Sequence, residues 1–175
     1  MIFMLLLESF SMTMKPYVSW AKDGRNMKKI LFLCHGNICR STMAEFVMKD
    51  LVKKAGLEEE FEIDSKACRT DELGCDTHPG TKRALRDHGV PFTPRQARQI
   101  RREDYGAWDY IVYMDEENRR DLMRLTGNDP EGKCSSLLSW AGLDREVADP
   151  WYTGEFETTY QDVLLGCKAM LEKIK

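Results

Sequence analysis

Nowhere among the 175 residues does an apolar run approach the roughly 18 positions that a bilayer-spanning helix requires, so no membrane partner is expected. Positive charge is not in excess either: 26 lysines and arginines stand against 29 aspartates and glutamates, a formal net charge of −3. A dedicated nucleic-acid binder usually carries a basic face or stripe, and no nucleic-acid partner is expected. The apolar stretch from Ile2 to Leu7 lacks the preceding Lys or Arg and the following small-residue cleavage site of a secretory signal. Internal repeats and low-complexity tracts are absent, which excludes solenoids and arrays. The Gly-Lys-Ser/Thr ending of nucleotide-binding phosphate loops is missing too.

What is present is an ordinary globular composition, 42% hydrophobic and 31% charged. Six cysteines lie scattered at 34, 39, 68, 75, 134 and 167. Disulfide frameworks belong mostly to shorter secreted chains that cannot build a core, whereas a chain of this length can bury one. Reduced thiols and a cytoplasmic location are therefore expected. The length favours one domain. The segment from Glu8 to Asn26 shows no sustained period, and residues 1–26 are read as an N-terminal extension, disordered in part or an artefact of the start site, since Met14 and Met27 can each begin translation. The domain itself is expected over residues 27–175.

From Met27 onward, strand and helix patterns alternate. Residues 29–34 form a short apolar run of the kind that a doubly covered parallel strand produces. Met43, Phe46, Val47 and Leu51 then recur at helical spacing, with Gly56 as the stop signal. Residues 61–66 alternate as a second strand; residues 79–88 read as a helix, with Pro79 in its first turn and Gly89 beyond its end. Residues 110–114 form a third strand, 116–125 a charged helix, and 135–138 a short fourth strand. Phe156, Tyr160, Val163, Leu164, Cys167, Leu171 and Ile174 share one face of a final helix. Strands alternating with helices predict an α/β fold, a parallel sheet with helices on both faces.

The chemistry concentrates in Cys34, His35, Gly36, Asn37, Ile38, Cys39, Arg40 and Ser41, between the first strand and the first helix. A loop that leads into a helix N-terminus aims unpaired N–H groups at one point and suits a phosphate dianion. The backbone from His35 through Cys39 would supply that cradle, with Gly36 permitting its tight path. The same field favours the thiolate of a cysteine at the loop's start, and the thiolate is the nucleophile. The planar fork of Arg40 can hold two phosphoryl oxygens and neutralise charge that develops in a transition state. A cysteine and an arginine six apart occur often by chance; the glycine, asparagine and serine at these positions, and the strand-to-helix setting, make the pattern specific.

This segment resembles the signature of the low-molecular-weight protein tyrosine phosphatases. The likeness continues through Asp64 and Ser65, Arg98 to Ile100, Asp109 to Asp115, and Ala148 to Tyr152, in that family's order, over essentially residues 27–175. It implies a four-stranded parallel sheet of flavodoxin-like, doubly wound type, and hydrolysis of phosphotyrosine in protein substrates through a cysteinyl-phosphate, with no metal or cofactor. By the same resemblance Asp149 is the general acid, Trp151 and Tyr152 wall the substrate pocket, and Asn37, Ser41, Ser65 and His88 form a polar network that fixes the loop. Ser41 would also donate to the departing thiolate, and Cys39 would be a redox partner able to form a reversible disulfide with Cys34.

Two related activities share such a loop. Thioredoxin-coupled arsenate reductases relay a disulfide through a further cysteine pair; Cys68 and Cys75 have the interval but follow the second strand instead of the third. Protein arginine phosphatases have threonine where Ile38 stands and lack the aromatic pair after the acid. A non-catalytic flavodoxin-like binding module would leave Cys34, Arg40 and Asp149 unexplained. One departure bears on substrate choice: the stretch from Thr70 to Leu73, where many family members carry a pocket-rim aromatic, has Asp71 and Glu72.

Overall fold

Five consecutive buried residues alternate between two cores: Ile30, Phe32 and Cys34 join one apolar cluster, Leu31 and Leu33 the other (Cys34 only 3% exposed). A strand buried on both faces must lie inside a sheet covered on both sides. A computed structural model describes residues 27–175 and bears this out; the reading of residues 1–26 as an extension lies outside the described residues. Strand β1 (Lys28–Cys34) is central, β2 (Phe61–Ala67) flanks it on one side and β3 (Tyr110–Tyr113) on the other, and β4 (Cys134–Ser136) forms the far edge. All three pairings are parallel.

Parallel neighbours need crossover connections, and helices supply them. Helices α1 (Arg40–Lys54), α2 (Pro79–Asp87) and α5 (Phe156–Ile174) pack against one another over one face. Helix α3 (Glu116–Thr126) and a 3₁₀ turn at Arg102–Ala107 cover the other. The chain leaves β1 toward β2 and later returns to β1's opposite side as β3. The carboxyl end of β1 is thus the point where strand order reverses, and in open α/β sheets ligands bind in the crevice there. Cys34 is the last residue of β1.

The fourth strand is displaced from its expected place, spanning Cys134–Ser136 rather than residues 135–138. Leu137 and Leu138 are buried against the core, and a 3₁₀ turn begins at Leu138. The cause is visible at α5, where a Cβ on Gly166 would stand 2.5 Å from Leu137 Cγ; the leucine turns into the space that glycine leaves. A single turn of helix, α4 (Pro150–Thr153), was not legible as an element because four residues hold no period. Among the described residues no helix is long and apolar enough to cross a membrane.

Candidate active site

The loop after β1 is shaped by where its carbonyls go. Cys34 O accepts from Cys68 N (2.9 Å), His35 O from Arg69 N (3.0 Å), Ile38 O from His78 N (2.8 Å) and Cys39 O from Met43 N (3.0 Å). In a trans peptide each C=O points opposite to the N–H that follows it, and no peptide bond here is cis. With the carbonyls of Cys34, His35 and Ile38 held by neighbouring segments and that of Cys39 turned along α1, the N–H groups of residues 35, 36, 39 and 40 lie on the opposite side of their peptide planes. Cys39, at the cap position of α1, makes no side-chain cap hydrogen bond, so the helix's first N–H groups stay available to an anion. Asn37 has φ of 59°, a left-handed conformation that asparagine tolerates better than most side chains.

A directional polar network holds Asn37 there. Its Oδ1 accepts from Arg95 Nη2 (2.9 Å), which turns its Nδ2 toward Ser41 Oγ (2.9 Å) and Ser65 Oγ (2.8 Å). Ser65 Oγ donates to Glu45 Oε2 (2.6 Å), and Glu45 is ion-paired with Arg95. Ser41 Oγ lies 3.0 Å from Cys34 Sγ. Because Ser41 accepts from Asn37, its own proton is free for the sulfur, the donation a thiolate needs.

Asn37, Ser41 and Ser65 meet as expected, but His88 does not join them. It ends α2, stacks on Tyr160 with ring centroids 3.8 Å apart, and its Nε2 lies 2.9 Å from Glu157 Oε2. The packing of α2 on α5 turns the ring toward α5 and away from the loop. Arg95 and Glu45 complete the network instead. A signal for Glu45 existed, since it stands four residues after Ser41 and so shares its helical face. Arg95 lies in an aperiodic stretch after Pro91 and Pro94 and gave none.

Glu45 is 5% exposed, and removing the cation from a buried pair leaves an uncompensated charge. Arg95→Ala is expected to lower unfolding stability by about 3 kcal/mol, the low end of that range because Lys49 remains on Glu45. Adding Glu45→Gln should recover much of the loss. Urea denaturation of the three proteins checks this; an unchanged midpoint in Arg95→Ala would refute the role of the pair.

Arg40 is the first residue of α1 and 2% exposed. One end of its fork is held firmly: Nη1 donates to Asp115 Oδ2 (2.6 Å) and to the Val147 carbonyl (3.2 Å). The other end, Nη2, donates to Asp149 Oδ2 (2.7 Å). Burial disfavours the cation, but Cys34, Asp115 and Asp149 outweigh it and hold the guanidinium above its ordinary pKa. Asp115, whose role was not assigned from sequence, also caps α3 by accepting from Asn118 N (2.7 Å). Asp149 likewise caps α4, with Oδ1 accepting from Trp151 N (3.0 Å) and Pro150 at the first helical position. One carboxylate oxygen of Asp149 thus caps α4 while the other is held by Arg40 beside the cavity.

Cys34, His35, Gly36, Ile38, Cys39 and Arg40 line a cavity of about 260 Å³ together with Asp149, Trp151 and Tyr152 from the segment at α4 and Asp71 and Glu72 from the loop after β2. Trp151 and Tyr152 are 57% and 81% exposed. Trp151 meets the edge of His78, which in turn stacks on Phe156; His78 thus braces the aromatic wall, a role its sequence context did not suggest. Cys39 is buried beside Ile38 and Ala97, and burial first, then Cys34 and Asp149, pushes its thiol up to about 12. All six cysteines are unpaired. No cluster of three or more His, Cys, Asp or Glu side chains suited to a metal ion occurs among the described residues.

The arrangement can bind an oxyanion, attack it with sulfur and deliver a proton from Asp149. A family model described as low molecular weight phosphotyrosine protein phosphatase matches residues 29–175. The chain is 38% identical over 151 residues to the low molecular weight protein-tyrosine-phosphatase YfkJ of Bacillus subtilis, covering 85% of this chain and 97% of that one. The crystal structure of YfkJ superposes with a TM-score of 0.82, covering 85% of this chain and 95% of that one. The low molecular weight phosphotyrosine protein phosphatase of Sus scrofa is 38% identical, covering 85% and 96%. A solved Drosophila arginine phosphatase is similar at 31% identity and a TM-score of 0.75, covering 84% and 98%.

Proposed function

The chain belongs to the low molecular weight phosphotyrosine protein phosphatase family, and from that premise we propose how its residues divide the hydrolysis of phosphotyrosine among them. The observation that carries the reading is a single cavity into which Cys34 and Asp149, 115 residues apart in sequence, both open, with Arg40 spanning between them.

The phosphoryl group of the substrate enters the loop, where the loop's N–H groups and Arg40 take its oxygens. It competes with Asp149 for Nη2 of Arg40, while Nη1 stays anchored on Asp115 and Val147. Binding therefore releases the Asp149 carboxyl for proton transfer. The Cys34 thiolate attacks phosphorus; an S–P bond forms as the P–O bond to the aryl group breaks, and protonated Asp149 gives its proton to the departing phenolate. In the second step Asp149 takes a proton from water, the water oxygen bonds to phosphorus, and the S–P bond breaks. Ser41 donates to the sulfur as it leaves. Transfers of this kind contribute roughly 10²–10⁴-fold each.

Trp151 and Tyr152 favour a flat aryl group, which can stack between them and Ile38. The test compares phosphotyrosine, phosphoarginine and arsenate on the purified protein, with a chelator present. Phosphotyrosine and p-nitrophenyl phosphate should be hydrolysed and the other two spared; equal or better turnover of phosphoarginine would overturn the assignment of substrate.

A further inference from the structure

Two segments that line the cavity differ in kind. The one at α4 is aromatic, with Trp151 and Tyr152; the loop after β2 contributes Asp71 and Glu72. That loop is fixed at both ends. Cys68 N and Arg69 N donate to the carbonyls of Cys34 and His35, while Gly74 N donates to Ala97 O (3.0 Å) and Ala97 N to Cys75 O (2.8 Å). In its turn Cys75 N donates to Glu72 O (3.0 Å). The stem of Glu72 rests on the phosphate loop so closely that a Cβ on Gly36 would lie 2.9 Å from Glu72 Cγ. Asp71 Oδ2 lies 3.0 Å from His35 Nε2. These carboxylates are therefore held at the mouth by the same segments that build the nucleophile's loop.

The cations nearby are already engaged. Arg69 in the same loop bonds Asp121 (2.7 Å) and Glu117 (2.7 Å), and Arg40 carries Asp115 and Asp149. Once a phosphoryl group takes Arg40, the cavity offers the rest of the substrate the carboxylates of Asp71 and Glu72 and the aromatic pair Trp151 and Tyr152. Lysine or arginine next to the phosphorylated residue would meet the carboxylates with its head and the aromatic faces with its stem or guanidinium. An acidic neighbour would be repelled at the same place.

We propose that Asp71 and Glu72 select phosphotyrosine sites flanked by lysine or arginine. This rests on the reading of the Cys34 cavity as a phosphotyrosine site. The test measures kcat/KM at low salt on two phosphotyrosine peptides of equal length, with lysine on both sides in one and glutamate in the other. p-Nitrophenyl phosphate, which has no flanks, runs beside them. Surface charges about 6 Å apart support a preference of about tenfold for the lysine peptide, shrinking toward parity at roughly 0.5 M salt as screening shortens. The double variant Asp71→Asn, Glu72→Gln should reduce the preference to below about threefold. Equal kcat/KM on both peptides, or a double variant that keeps the full preference, would overturn the proposal. Failure to hydrolyse p-nitrophenyl phosphate at all would instead overturn the phosphatase reading beneath it.

Discussion

Cys34→Ser is expected to cut turnover of p-nitrophenyl phosphate by at least about 10⁴-fold while inorganic phosphate still binds. The substitution changes one atom in a site that is 3% exposed, and the Ser41 partner remains in reach. What changes is the nucleophile. Sulfur is the stronger nucleophile and the better leaving group, whereas a serine hydroxyl needs a base to remove its proton before it attacks. Among the described residues no such base adjoins position 34: Ser41 accepts from Asn37 and has only its own hydroxyl proton to give, and Asp149 must carry a proton for the leaving group in the step in which position 34 attacks. Steady-state kinetics with calorimetric phosphate titration reads both quantities. Retained activity would sink the mechanism, and lost phosphate binding would show that the loop had collapsed instead.

Asp149→Asn should lower kcat for phenyl phosphate by roughly 10²–10⁴-fold, with a smaller loss on p-nitrophenyl phosphate, whose leaving group departs more easily without a proton. Asparagine is the informative replacement because it can still cap α4, whereas Asp149→Ala would also forfeit a cap at about 1 kcal/mol. Arg40 loses one of its two carboxylates but keeps Asp115 and the Val147 carbonyl. Phosphate should therefore bind the variant at least as tightly as the parent. The ratio of kcat values for the two substrates is the measurement; an equal loss on both would remove Asp149 from the proton transfer and leave it a structural cap.

The reading from sequence was strongest where a local pattern dictated a local structure. A continuous apolar run made β1 legible, helical spacing made α1 and α5 legible, and the glycine, asparagine and serine around Cys34 and Arg40 marked the strand-to-helix loop. It was weakest where a role depends on which distant segment packs nearby. His88 was placed in the loop's network by the family resemblance alone, and the seating of α2 on α5 sends it to Glu157 and Tyr160 instead. Arg95, in a stretch with no period, reaches Asn37 across 58 positions of sequence. Its partner Glu45 was half visible, as a charge on the buried face of a helix. His78 looked idle because its work is to brace Trp151 and Phe156, neither of which is near it in sequence.

Sequence alone determined that this chain folds as a parallel α/β sheet and singled out Cys34 as the residue on which the proposed chemistry turns, because hydrophobic period and loop composition act over a few residues and can be read there. Tertiary structure decided the rest of the site: that Arg40 is shared between Asp115 and Asp149, that Arg95 and Glu45 orient Asn37, and that Asp71 and Glu72 line the same cavity as Trp151 and Tyr152. The reason is physical. A strand or helix is specified by neighbours along the chain, but the direction of a hydrogen bond or the charge at a pocket mouth is set by groups brought together only when the sheet closes around β1.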